Sequence, residues 1–137
     1  MLIRRLQDCP EIVAGDETIL RELLNPVRAD LGVRPAQARG PAPTPFAPLP
    51  FCYSLAHAVV QVGKASQPHR MRTSEVYYIL EGEGEMHIDN ESAMVQAGCA
   101  ISIPPGSRQF IRNTGTTDLK FLCIVDPAWR PDDEQIG

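Results

Sequence analysis

An all-β fold closed into a single sandwich or barrel domain is what this sequence predicts. Three observations lead there. Thirteen prolines and ten glycines punctuate the 137 residues, and long helical periodicity is almost absent. Short runs rich in β-branched and aromatic residues recur at intervals of about 8–12 residues between turn signals. The length suits one ordinary domain with one core, and no internal repeat is evident, so a single barrel is expected and not a fused pair.

The elements follow in order. Asp16–Leu24, DETILRELL, starts acidic like a helix but ends at Asn25-Pro26, where proline disfavours helix for the residue before it. Its alternation of Thr18, Leu20, Glu22 and Leu24 fits a strand, so residues 1–27 are expected to supply N-terminal strands. Residues 28–50 carry Pro41, Pro43, Pro45, Pro48 and Pro50 among small residues and read as an extended arm or loop. The barrel proper is expected over 51–126. Its strands are Phe51–Val62, Val76–Leu80, Met86–Ile88, Ala93–Val95, Ala100–Ile103, Gln109–Asn113 and Leu119–Val125. Gly82 within Glu81–Glu85, Asp89-Asn90, Gly98, Pro104-Pro105-Gly106 and Asn113-Thr114-Gly115 mark the turns. Residues 127–137 form a polar tail expected to fray past Trp129.

Composition narrows the function classes. Hydrophobic residues make up 43% and charged residues 22%, an ordinary globular balance. A formal charge of −4 and a pI near 5.3 argue against nucleic acid as a partner, because neutralising phosphates calls for a basic face. No apolar run approaches the length of a membrane span, and MLIRRLQDCPE does not read as a signal peptide. Cys9, Cys52, Cys99 and Cys123 show no paired metal-type spacing and are expected as free thiols in a reducing cytoplasm.

The residues that promise chemistry cluster after Gly63. His69 and Met71 are two apart, so on a strand they share a face; Glu75, six residues after His69, keeps that parity if the strand runs on without a bulge. A buried carboxylate must be paired, hydrogen-bonded or metal-bound, so a histidine, a thioether and a carboxylate on one interior face suggest a metal. Arg70, Arg72 and His87 fall on the outward parity, and His57 reads as a structural histidine. Tyr53, Tyr77, Tyr78 and Phe110 are core or pocket wall by pattern, with Tyr77 and Phe110 counted as pocket residues beside Met71. Arg108 and Arg112, flanking Gln109, read as solvated charge.

The spacing then resembles a known family. Gly63, five residues, His69, one, Met71, three, Glu75, six, Gly82 is similar to the first cupin motif. Gly98, five residues, Pro104-Pro105-Gly106, two, Gln109, three, Asn113 is similar to the second. The resemblance covers residues 63–113 and implies a cupin-type jelly-roll barrel. At the family's four ligand positions stand His69, Met71, Glu75 and Gln109, so two of the usual histidines are replaced. His69, Glu75 and Gln109 are then the expected ligands of a divalent ion (Zn, Fe, Ni or Mn), with Met71 as pocket wall, since a thioether is a poor partner for hard ions. The implied function is a metal-dependent enzyme of isomerase, cyclase, lyase or dioxygenase type acting on a small polar metabolite. A non-catalytic ligand-binding or sensory barrel, and a metal-free enzyme using His69 and Glu75 as acid and base, are the alternatives. A homodimer is expected by the same resemblance, with edge strands needing cover.

Overall fold

The computed structural model describes residues 1–27 and 49–137. Residues 28–48, nearly all of the expected proline-rich arm, lie outside the described residues. Among the described residues there is no α-helix. Eleven strands run as β1 (Glu11–Val13), β2 (Ile19–Leu24), β3 (Ser54–Val60), β4 (His69–Met71), β5 (Ser74–Glu81) and β6 (Glu83–Ile88), then β7 (Glu91–Gln96), β8 (Ala100–Ile103), β9 (Gln109–Asn113), β10 (Leu119–Asp126) and β11 (Glu134–Ile136).

They form two antiparallel sheets. One has six strands in the order β1-β2-β3-β10-β5-β8, the other five in the order β11-β4-β9-β6-β7. From β3 onward the chain passes repeatedly from one sheet to the other, so residues close in sequence reach the interior from opposite walls. Each wall alternates. Tyr77 and Ile79 on β5, Phe121, Cys123 and Val125 on β10, and Ile111 on β9 point inward and are buried, while their neighbours are exposed or half-buried. Period-two patterning therefore selects the face. Phe121, Ile79, Ile103, Ile111 and Leu119 form the fully buried centre.

Turn chemistry sets the register. Asp89, at the β6–β7 turn, takes φ +50°, a left-handed conformation that aspartate tolerates. Gly82, between β5 and β6, has φ +88°, and a Cβ there would meet the Asp118 carbonyl oxygen at 2.7 Å, so the position requires glycine. Asn113 closes the β9–β10 turn. Its Nδ2 donates to the Val60 and Thr117 carbonyls at 3.0 and 2.8 Å, and its Oδ1 accepts from the Gly115 N–H at 2.9 Å. That explains an asparagine at the end of the second motif: from a buried position it ties the β9–β10 loop to the end of β3.

The strand reading of Asp16–Leu24 holds as β2, with Leu20 and Glu22 turned inward. Two expectations change. His69 and Glu75 are not on one continuous strand, because the chain crosses between the sheets at Arg72–Thr73; both point inward, from opposite walls. The C-terminal tail does not fray past Trp129. The Trp129 N–H donates to Ser54 Oγ at 2.8 Å, and residues 134–136 pair with β4 as Glu134↔Met71, Gln135↔Arg70 and Ile136↔His69. The open edge of β4 supplies hydrogen-bond partners that a local reading of a polar tail cannot see.

Replacing Asn113 by alanine removes the partner of the buried Val60 carbonyl and of the part-buried Thr117 carbonyl and Gly115 N–H, and a buried group left unsatisfied costs about 1–3 kcal/mol. Urea denaturation of Asn113→Ala is expected to show a loss of about 2–4 kcal/mol with an unchanged slope.

Candidate functional site

Among the described residues, a small, partly open cavity of about 30 Å³ lies between the sheets. Its wall includes His69 and Met71 from β4, Glu75 and Tyr77 from β5, Phe121 from β10, and Trp129. Three further acids line it: Asp16 from the β1–β2 turn, Glu22 from β2 and Glu134 from the start of β11.

Each polar group is held from behind. The Asp16 turn is closed by the Ala14 N–H to Thr18 carbonyl bond and by the Thr18 N–H donating to Asp16 Oδ1 at 3.0 Å. The Gln67 N–H donates to the Asp16 carbonyl at 2.7 Å, which docks this turn against the chain entering β4. The same Gln67 accepts, through its own carbonyl, from His69 Nδ1 at 2.7 Å. A carbonyl only accepts, so the proton sits on Nδ1 and Nε2 faces Asp16 Oδ2 at 3.6 Å. Gly15 makes room for Glu134: a Cβ at Gly15 would sit 2.8 Å from Glu134 Oε1.

Gln109 occupies the opposite side. It pairs with His69 across β4 and β9. Its Nε2 donates to Glu75 Oε1 at 2.7 Å, and its Oε1 accepts from the Tyr77 hydroxyl at 3.2 Å. Both ends of the carboxamide are thus engaged, and the two bonds join the two sheets. Burial pushes the Glu75 carboxyl up to about 7, against the lowering effects of the Gln109 hydrogen bond and of His69. Burial also raises the Tyr77 hydroxyl, with Glu75 adding to the shift. The Glu134 carboxyl is raised by burial and by Asp16 nearby.

The sequence-predicted residues divide as follows. His69, Met71, Glu75, Gln109 and Tyr77 lie in the same interior. Phe110, expected in the pocket, sits on the outward parity of β9, stacked on His87 with ring centroids 4.2 Å apart. Arg70 and Arg72 are exposed, and Tyr78 and His57 lie on the outer face of the six-stranded sheet. Asp16 and Glu134 were missed. A Gly15-Asp16 turn ahead of an alternating strand is a hairpin signal, but nothing local says that the turn folds onto His69, and Glu134 has no local signal at all.

The donor set was tested against the divalent ion that the motif spacing suggests. Cupins commonly bind metals. Here His69 Nε2 and Asp16 approach each other at 3.6 Å, but among the described residues no three His, Cys, Asp or Glu side chains converge on a common point able to hold an ion. Gln109 turns its amide N–H toward Glu75, a donor where a ligand pair would need two acceptors. As arranged, these residues do not fit a metal centre built on His69, Glu75 and Gln109.

Comparison with known proteins agrees with this architecture. The cupin domain family matches residues 56–125, slightly more than half of the chain, and the chain belongs to that family. An uncharacterized protein of Methanocaldococcus jannaschii, MJ1618, is 38% identical over 125 residues, which span 90% of this chain and 85% of that one. The oxalate-binding protein of Thermotoga maritima is 41% identical over 51 residues, 37% of this chain and 42% of that protein. The polyketide cyclase RemF of Streptomyces resistomycificus shares the fold, with a TM-score of 0.71 at 19% identity, covering 99% of this chain and 84% of its own.

The raised Glu75 carboxyl has a signed consequence. The folded chain keeps a proton that the unfolded chain releases near 4.5, so this contribution is full below that value and is lost as the pH rises through about 7. Glu75→Gln should therefore gain on the wild type between about pH 5 and about pH 8, by up to about 3 kcal/mol in chemical denaturation. A difference that stays flat over that interval counts against the shift.

Proposed function

We propose that this cupin is a small-molecule enzyme of isomerase, cyclase or lyase type, in which His69 and Glu75 exchange protons with a small polar substrate held between the sheets. One observation supports the reading above all. An imidazole and a carboxyl group line one small cavity, each fixed from behind by a hydrogen bond to a neighbour that is not itself a proton carrier: the Gln67 carbonyl for His69 and the Gln109 amide for Glu75. Acid–base catalysis needs this combination of fixed position and a carboxyl titrating near neutrality. Gln109 and Tyr77 act as positioning residues behind Glu75. Met71 and Phe121 keep that wall dry.

The metal-dependent reading retains one observation in its favour. His69 gives its Nδ1 proton to a backbone carbonyl and aims Nε2 inward, as metal-bound imidazoles do. The two readings separate in one experiment. Chelator-treated protein is incubated in D₂O with small aldehydes, ketones and amino acids, and carbon-bound proton exchange is followed by NMR. Exchange without added metal, lowered about 100-fold or more by Glu75→Gln, is expected. Exchange that needs an added divalent ion overturns the acid–base reading. Absence of exchange with every compound points instead to a ligand-binding barrel.

A second copy of the chain is the proposed partner. Across β3, β10 and β5, the rows Leu55–Ile124–Val76 and His57–Leu122–Tyr78 lie on the outer face, with Tyr78 42% and Ile124 36% exposed. A surface so apolar calls for cover. Light scattering should give a dimer that the double change Tyr78→Asp, Ile124→Asp converts to monomer; a monomeric wild type overturns this.

A further inference from the structure

The outer face of the six-stranded sheet carries a histidine at its centre. In the order β1-β2-β3-β10-β5-β8, β3 and β10 are the middle strands, and His57 is the fourth of the seven residues of β3. Its cross-strand neighbours are Arg21 on β2 and Leu122 on β10, with Tyr78 one strand further on. Leu55 and Val59 on its own strand share its outward parity, and Leu80 and Ile124 are exposed on the same side. Charge lies in two mixed pairs around this apolar centre: Arg21 with Glu11 at 3.8 Å and Lys120 with Glu81 at 3.5 Å. An apolar middle with a polar margin is the anatomy of an interface, and a margin of both signs can pair with its own copy across a twofold axis.

Size decides how much of the face such a contact must use. Six strands about 4.8 Å apart span about 24 Å, and strands of seven or eight residues run about 25 Å, so the face offers about 600 Å². A stable pair needs about 600 to 1,000 Å² from each partner. The whole sheet is therefore used, its centre lies near the twofold axis, and the two copies of His57 are covered close to one another.

Inside that contact a charge on His57 has no partner. Glu11 and Glu81 are engaged by Arg21 and Lys120, and among the described residues neither carboxylate bonds the His57 ring. Burial, Lys120 and Arg21 already push the ring below the ordinary histidine range in the single chain, with Glu81 opposing. We infer that a second copy of the chain covers this face only while His57 is neutral, so that mild acid separates the dimer. The inference rests on the dimer reading above and adds its regulation. Protonation would place two imidazolium groups in a dry contact, each beside an arginine and a lysine, and a buried charge without a partner is costly. Separation is then coupled to the uptake of two protons. Below the range in which His57 of the free chain titrates, the dissociation constant rises up to about 100-fold per pH unit.

The test uses the full-length, untagged chain, so that no added histidine titrates. Sedimentation over a concentration series gives the dissociation constant from about pH 8 down to about pH 5.5, the interval in which histidine changes charge, and circular dichroism follows the fold. The wild type is expected to be a dimer at the upper end and to weaken by at least about 100-fold across the interval, with an unchanged β-sheet spectrum. His57→Gln, neutral at every pH, should stay dimeric throughout. His57→Lys, charged throughout, should be weakened by at least about 100-fold already at the upper end. His87→Gln, on the outer face of the other sheet, should behave as the wild type. A wild-type dimer equally tight at both ends overturns the inference and leaves the dimer reading standing. A His57→Gln chain that dissociates in acid like the wild type, or that is monomeric throughout, does the same. Acid dissociation that comes with loss of the sheet spectrum also counts against the inference. A wild type that is monomeric at the upper end refutes the dimer reading, and this inference with it.

Discussion

The interior depends on one carboxamide. Gln109 lies on the five-stranded sheet, Glu75 and Tyr77 on the six-stranded one, and its two hydrogen bonds link the walls behind Glu75. A histidine in that place would offer one donor and one acceptor in a different geometry, or two donors when charged. The amide offers both without ever taking a charge. It therefore satisfies an ionised Glu75 through N–H and orders the Tyr77 hydroxyl through C=O, while adding nothing to the electrostatic load of a buried site. The exchange of ring for amide alters the chemistry of the barrel without altering its frame.

The frame was largely legible in the sequence because its determinants are local. Alternation chooses the inward face at Tyr77, Ile79, Phe121 and Ile111; turn residues such as Gly82 and Asp89 mark the reversals. β8 and β9 begin and end where the sequence places them. What was not legible is long-range. The parity linking His69 to Glu75 assumed one strand, yet the chain changes sheets between them, and the inward direction survives because both walls face one interior. β11 forms because β4 leaves an edge to pair with, and no pattern within Glu134–Ile136 announces it. Phe110 was misread because an aromatic beside Gln109 reads equally as wall or surface; its partner His87, on the neighbouring strand, decides for the surface.

The electrostatics of the site arise from the same long-range contacts. The motif residues alone would set one imidazole against one carboxyl group, near neutrality. Asp16, carried in by a turn bonded to Gln67, and Glu134, admitted by the missing Cβ of Gly15, add two more carboxyl groups. Burial makes charge costly at Glu75 and at Glu134, which raises both carboxyl groups.

The barrel and part of its cavity lining therefore have separate origins in this chain. Residues 56–125, the span shared with the cupin domain family, build the walls and carry His69, Glu75 and Gln109. Three of the carboxyl groups that line the cavity lie outside that span, at Asp16 and Glu22 before it and at Glu134 after it. A family match confined to the barrel can thus establish the fold and the positions of the central side chains while leaving the preferred charge of the ligand undetermined. The ends of the chain close on one another where Gly15 meets Glu134 and bring these groups to the cavity. This gives a physical reason why similar barrels are compatible with different ligands: the walls are fixed by alternation and packing, whereas these carboxyl groups come from segments outside the matched span.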